Sequence, residues 1–257
     1  MRFFTLIFLL LILQKHCAFG QADSNISTRN INQKTPETLS ESAVKTAFPL
    51  SLYKAATDQS QNLYNGRLYY VYDARMEEHQ FFGDRKWQKG TVLYDGQRFD
   101  SIPMIYDINR DELIIKHFNG DALLLQSEKV EYFSKENHSF RRFESGKEIN
   151  DQMRTGFYDI LYEGKSKVLV RRTKQRQEKI VEKKVIALFP EKDFYYIHKD
   201  DRYYPVRSKK SVLGLFPDRK KELRKALREE KIKYRKNRDA AITTIVVAYD
   251  SLNGAKK

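Results

Sequence analysis

The sequence predicts a mainly β protein, α+β overall: an antiparallel meander, sandwich or partly closed barrel with a C-terminal α-helical segment. Three observations predict it. First, Leu63 to Asp73 (Leu-Tyr-Asn-Gly-Arg-Leu-Tyr-Tyr-Val-Tyr-Asp) joins a polar-glycine pair to a run of β-formers. The pattern echoes at Leu93-Tyr94-Asp95-Gly96, Phe118-Asn119-Gly120 and Leu161-Tyr162-Glu163-Gly164. Asn-Gly and Asp-Gly supply the positive φ that a two-residue hairpin turn needs. Second, short strand-like runs follow one another with turn signals about every eight to twelve residues. Third, the apolar period changes after Arg207 from that of a strand to that of a helix. No long helical pattern alternates with the strands, which disfavours a parallel α/β fold.

The chain begins with a leader. Arg2 gives a positive start, and Phe3 to Leu13 is an almost wholly apolar run of eleven residues. Ala18-Phe19-Gly20 offers small residues for cleavage, so residues 1–20 read as a signal peptide. The run is too short for a retained membrane anchor. Cys17 is the one cysteine of the chain, and Gln14-Lys15-His16 before it are not the small residues of a lipidation site. The mature chain then carries no disulfide, no thiol nucleophile and no thiolate metal site, and its core alone must hold it in an oxidising space. The expected location is the periplasm or the extracellular side, with peripheral envelope association.

Residues 21–40 are polar and read as a disordered linker. Residues 41–207 read as a short helix followed by the β domain. Pro49 opens the helix, with Leu50 and Tyr53 on one face. Strands are expected at Arg67–Asp73, Val92–Tyr94, Pro103–Ile108, Glu112–Phe118, Leu123–Gln126 and Val130–Ser134. Others are expected at Phe140–Phe143, Phe157–Tyr162, Lys165–Arg172, Phe194–His198 and Arg202–Val206. The turns Asn109-Arg110-Asp111, Glu163-Gly164 and Asp200-Asp201 separate some of them. The 16 Tyr and 16 Phe provide material for a large core although 32% of residues are charged.

Residues 208–257 read as basic helices packed on the sheet. Val212, Leu213 and Phe216 fall together, Pro217 starts a second helix with Leu223 and Leu227 on one face, and Asn237 caps a third. That last helix aligns Ile242, Ile245, Val246, Tyr249 and Leu252 in one stripe, and Gly254 ends it.

The Leu-Tyr-Asn-Gly-Arg start, Lys209-Lys210-Ser211-Val212-Leu213, Asp218-Arg219-Lys220-Lys221-Glu222-Leu223 and Ala248-Tyr249-Asp250-Ser251-Leu252 resemble a family of secreted proteins of Bacteroidota-type bacteria. That family has no established activity. The resemblance spans about Phe48 to Leu252 and rests on framework residues. It implies an exported envelope or extracellular protein of a Gram-negative cell and carries over no catalytic residue.

Chemical motifs are weak. Asp107-Ile-Asn109-Arg-Asp111 matches the first three ligand positions of a calcium loop, but Glu112 stands where glycine is needed and Phe118 where the bidentate glutamate should be. A polar turn between strands is the better reading. Ser42-Ala-Val-Lys45 and Ser51-Leu-Tyr-Lys54 lack the companion motifs of serine acyl-transfer enzymes. His79, His117, His138 and His198 are scattered, Glu77 and Glu78 are adjacent and would face opposite sides of a strand, and Gly146-Lys147 lacks the preceding glycine of a phosphate loop. No cofactor motif and no metal set is present in the sequence pattern.

Charge is the remaining signal. The net charge is +14. Lys165–Lys184 holds nine Lys or Arg against two Glu, and Arg202–Arg238 holds fifteen against four acidic residues. On the second C-terminal helix Arg219, Lys220, Lys221, Arg224, Lys225 and Arg228 form a candidate anion-binding face opposite Leu223 and Leu227. A solvated face with intrahelical pairs such as Glu222 to Arg219 is the plainer alternative. Tyr195, Tyr196, Tyr203 and Tyr204 lie near these cations as stacking surfaces or as core. The functional reading is an exported non-enzymatic envelope protein that contacts an anionic lipid, a polysaccharide or an envelope protein, with nucleic acid disfavoured by export. The alternatives are an envelope hydrolase whose site is scattered over strands, and a structural interaction module.

Overall fold

Two meanders share one strand. The structure, a computed structural model, describes residues 62–73 and 77–254. The expected leader, linker and helix at Pro49–Tyr53 lie outside the described residues. The strands are β1 (Arg67–Leu68), β2 (Gln88–Tyr94), β3 (Gln97–Asp107), β4 (Glu112–Lys116), β5 (Ala122–Leu124), β6 (Val130–Lys135) and β7 (His138–Phe143). They continue with β8 (Gly156–Glu163), β9 (Lys167–Arg171), β10 (Gln177–Val181), β11 (Lys184–Leu188), β12 (Phe194–Lys199) and β13 (Arg202–Val206). Eleven of them form one antiparallel sheet in the order β1-β5-β4-β3-β2-β6-β7-β8-β9-β12-β13. From β2 the chain winds outward through β3, β4 and β5. It then crosses back through a 3-10 turn at Ser127–Lys129, places β6 on the other side of β2 and winds outward again. β10 and β11 leave the sheet as a separate hairpin.

The turns follow backbone chemistry. Asp95-Gly96 has positive φ at both residues (52° and 74°) and joins β2 to β3, as the Asp-Gly pair predicts. Asp200-Asp201 does the same without glycine, at 49° and 55°. Asn65-Gly66 behaves differently. Gly66 leads into β1, where a side chain would collide with the Leu124 carbonyl, so the glycine permits close strand approach rather than a hairpin turn. The strand expected through Asp73 ends at Leu68: Tyr69 N–H still donates to the Ala122 carbonyl of β5 at 2.9 Å, and beyond it the chain turns so that the Tyr69 and Tyr72 hydroxyls both donate to Asp107.

The sheet is open, but it curls. β3 and β8 are four strand intervals apart, about 19 Å in a flat sheet. Yet the Tyr106 and Phe157 ring centroids are 5.9 Å apart, and Phe133 stacks on Phe140 at 4.8 Å within the same nest. The β3–β4 turn closes this curl. Tyr106 OH donates to Asp111 Oδ1 at 2.6 Å, and Phe157 N–H and Arg171 Nη2 donate to Asp111 Oδ2 at 3.3 and 3.2 Å. Burial pushes the Asp111 carboxyl above its usual range, while Tyr106 and Arg171 pull it back. Gly156 is required beside it: its φ is +148°, and a Cβ there would overlap Asp111 Oδ2. The calcium-like run is therefore a latch and a turn. Asp107 Oδ1 accepts from the Asn109 and Arg110 amides at 2.9 and 3.0 Å.

Both major cores share the curled face. Phe140 pairs with Asp159 and Asp159 with Val170 in register, so all three point the same way. Phe140 belongs to the aromatic core, which draws on strands of both meanders, and Val170 to the core under the helices. Asp159, fully buried, sits at the seam. Three helices cover the second core: α1 (Lys209–Gly214), α2 (Lys220–Glu229) and α3 (Arg238–Gly254). Ser208 caps α1 in a reciprocal pair with Ser211, Pro217 opens a 3-10 turn before α2, and Asn237 Oδ1 accepts from Ala240 N–H at 3.0 Å to cap α3. Ile242, Ile245 and Val246 are fully buried, so the apolar stripe of α3 is covered by the protein's own sheet and helices.

Gly156→Ala is expected to lower stability by about 3 kcal/mol, because it adds both backbone strain and a collision with the latch. Urea unfolding followed by circular dichroism measures it. A loss below about 1 kcal/mol would show that the curl does not depend on this contact.

Candidate functional site

α2 is oriented by two leucines. Leu223 and Leu227, one helical turn apart, are buried against the second core. Helical spacing then sends Lys220, Lys221, Arg224, Lys225 and Arg228 outward, and all five are exposed. Arg219 lies one residue before the helix, in the 3-10 turn, and is partly covered. It pairs with Glu222 at 3.4 Å and Asp218 at 3.9 Å. Lys225 reaches Glu229 at 3.6 Å, and Arg228 Nε donates to its own helix at the Arg224 carbonyl. Among the described residues no carboxylate lies within salt-bridge distance of Lys220, Lys221 or Arg224. The six expected residues therefore divide: Arg219 and Lys225 spend charge on neighbours, and the others present it to solvent.

The basic surface continues past the helix. Lys231, Lys233, Arg235 and Lys236 are exposed in the connection to α3. Lys231, Lys233 and Lys236, with Ile232 and Asn237, line an open crevice of about 340 Å³. Sequence reasoning counted these lysines in the charge run but did not bring them together. The turn at Lys231, with φ 54°, does so.

The other basic run is mostly structural. Arg171 joins the Asp111 latch. Lys174 is buried and donates to the Phe81 and His79 carbonyls at 2.9 and 3.0 Å. Arg172 is a knot: Asp159 accepts from its Nε and Nη2 at 3.0 and 2.7 Å, Asp193 from Nη1 at 2.7 Å, and Asp239 from Nη2 at 2.6 Å. It ties β9 to the approach of β12 and to the first turn of α3, where a carboxylate also complements the helix dipole. Burial opposes ionisation of Asp239, but hydrogen bonds from Arg172 and Tyr195 outweigh it and hold the carboxyl below its usual range. Asp193 is pushed above its range by burial, against the pull of Arg172.

The knot includes a histidine. His138 Nδ1 lies 2.7 Å from Asp159 Oδ2, and the ring packs edge-on to Phe82 at 4.9 Å. Asp159 Oδ2 thus receives three donors, while its Oδ1 is buried with no hydrogen-bond partner among the described residues. The remaining histidines have separate surroundings: His117 bonds Asn119 at 2.6 Å, His198 packs on Tyr203, and His79 accepts from Phe81 N–H. Of the four tyrosines near the basic runs, Tyr195 and Tyr203 are buried core residues. Tyr195 donates to Asp239 at 2.7 Å under the Arg238 guanidinium. A cleft of about 550 Å³ lies between Tyr64, Phe99, Ile102 and Phe118, where a bulge puts Ser101 at φ 59°. Its histidine is His117, already held by Asn119.

No protein-family model, curated protein or solved structure matches this chain. Among the described residues no helix is long and apolar enough to cross a membrane.

Arg172→Ala is expected to cost about 3–5 kcal/mol, because it strands the Asp159 carboxylate in the core. Lys220→Gln is expected to change stability by less than about 0.5 kcal/mol. Equal effects in chemical denaturation would overturn this division of the cations into structural and free. The knot also sets an acid limb. The folded pKa of Asp239 lies below its unfolded value, so its stabilisation is complete above about pH 4 and is lost as pH falls through the folded value. Asp111 and Asp193, held high, tilt the other way. Asp239→Asn should therefore start less stable at neutral pH and lose less on acidification than the parent; an unchanged acid limb would contradict this.

Proposed function

We propose that this protein is an exported, non-enzymatic protein of the cell envelope that holds an anionic partner on the outward face of α2 and the connection to α3. One observation carries the reading. Arg171, Arg172 and Lys174, which point inward or lie against the sheet, are bound by named carboxylates or carbonyls, whereas Lys220, Lys221, Arg224 and the lysines at 231, 233 and 236 are exposed on one continuous stretch and have no carboxylate within salt-bridge distance among the described residues. Such a surface attracts phosphate- or carboxylate-bearing material and steers its approach. Export rests on the leader, Arg2 with Phe3–Leu13 and Ala18-Phe19-Gly20, and on the resemblance to secreted proteins. The hydrolase alternative has its best acid–histidine pair in His138–Asp159, but that carboxylate already serves Arg172 and joins core to helix.

The test compares two variants of equal charge on a heparin column, heparin serving as a generic polyanion. One changes Lys220, Lys221, Arg224, Lys225 and Arg228 to Gln. The other changes the exposed Lys86, Lys89, Lys116, Lys165 and Lys192 to Gln. The helix variant should elute at markedly lower salt than the control variant, and retention of the parent should fall as salt rises from about 0.05 to about 0.5 M. Equal elution of the two variants would reduce the interaction to net charge and remove the site.

A further inference from the structure

The β10–β11 hairpin stands off the molecule. It pairs with no strand of the main sheet, and its turn residues Glu182 and Lys183 both have positive φ, 51° and 66°, the geometry of a tight two-residue hairpin turn. An isolated two-stranded hairpin is marginal in water. This one is fastened at its root: Arg176 bonds Asp73 at 2.6 Å and Glu178 at 2.7 Å, Phe189 N–H donates to Glu78, and Tyr72 packs on Phe189. The root thus joins the arm to the Leu68–Asp73 segment.

Exposed apolar side chains concentrate there. Among the described residues eight large hydrophobics are exposed, and six of them lie on these two joined segments: Leu68, Tyr70 and Val71 on one, Ile180, Val181 and Val185 on the other. Tyr70 is 79% exposed and Ile180 74%. Ile180 and Val185 are direct cross-strand partners, so their side chains form one apolar patch on one face of the arm. Lys179 and Lys184 border it on the opposite face, and Lys183 sits in the turn; all three are exposed and none has a salt-bridge partner among the described residues.

We propose that this end of the molecule, the β10–β11 arm with Leu68–Val71, is a docking face for an anionic lipid surface. The proposal names the partner class for the envelope reading above and rests on it for the sign of the partner's charge. Aliphatic side chains and flanking lysines on the arm, with an exposed tyrosine on the segment joined to its root, are the composition of an interfacial anchor: the apolar groups enter the headgroup–acyl boundary while the ammonium groups stay among lipid phosphates. The charged turn, Glu182-Lys183, limits the arm to that interface and keeps it from crossing. Charge complementarity selects lipid over a second copy of the chain, since two strongly basic bodies repel each other and an anionic surface attracts them.

The test is co-sedimentation with vesicles, using protein recovered from its own cells so that any processing has occurred. Phosphatidylcholine vesicles containing phosphatidylglycerol are compared with pure phosphatidylcholine vesicles. The arm variant is Ile180→Ser with Val185→Ser, which leaves the net charge unchanged; Val247→Ser, an exposed apolar residue of α3, is the control. The parent and the control should bind the anionic vesicles and leave the neutral ones. The arm variant, with an unchanged melting temperature, should bind roughly tenfold more weakly. Parent-like binding of the arm variant, equal binding to both vesicle types, or an arm-dependent dimer in analytical ultracentrifugation would overturn the proposal. The five-Gln helix variant separates the two readings. If the arm effect persists in that background while heparin retention is already lost, both stand. If the arm variant binds as the parent does while the helix variant fails on vesicles and heparin alike, the arm falls and the helix face remains.

Discussion

A buried-edge carboxylate facing a glycine governs this fold. The Asp111 latch needs the space that Gly156 leaves, and through it the β3–β4 turn is bonded to β8 and β9 across four strand intervals. An open eleven-stranded sheet left flat would expose an aromatic face; curled, it brings Tyr106, Phe133, Phe140 and Phe157 into edge-to-face contact and excludes water without closing a barrel. The curl covers the core on the strands through β8, so the core on β9, β12 and β13 needs the three helices. The layout of the chain, strands first and helices last, follows from that division of covering work.

The Arg172 knot then fixes which way the helices face. Asp239 in the first turn of α3 is held to Arg172, and α3 in turn packs α2 through Leu223 and Leu227. A helix with so many cations is soluble in any rotation; the two leucines and the knot allow one. The outward charge of α2 is thus a consequence of buried interactions elsewhere. A buried arginine with three carboxylates confers little net stability over an apolar substitute, so its evident service is orientation.

The sequence showed much of the architecture because its signals are local. Asp95-Gly96, the strand alternation, the Asn237 cap and the stripe on α3 each depend on neighbours within a few residues, and each stands in the structure as read. What it hid is non-local. Arg172 and Asp239 are 67 positions apart, and Asp111 and Arg171 are 60. No spacing rule joins them, so the calcium-like run could be set aside only as a turn and not recognised as a latch. The β10–β11 arm was missed for another reason. Its turn carries Glu182-Lys183, where glycine or asparagine is the usual signal, and its lysines read as a charge run. The candidate cations on α2 were legible from helical spacing. Which of them would be neutralised was not, since Arg219 lies before the helix and pairs within its turn.

Edges show where contact is refused and where it is left open. The main sheet ends in β1, two residues long, and in β13, which carries Pro205 and so lacks one donor; short strands and edge prolines discourage strand addition. The arm has neither device. Its borders carry Lys179, Lys183 and Lys184 instead, and lysines on a strand border disfavour pairing with another basic strand while remaining compatible with a phosphate-rich surface. The same chain therefore blocks strand pairing at its sheet edges and exposes Ile180 and Val185 on a projecting arm. Random surface drift would scatter exposed apolar side chains; six of eight on two segments pinned together by Arg176 and Asp73 is a concentration that the fold maintains.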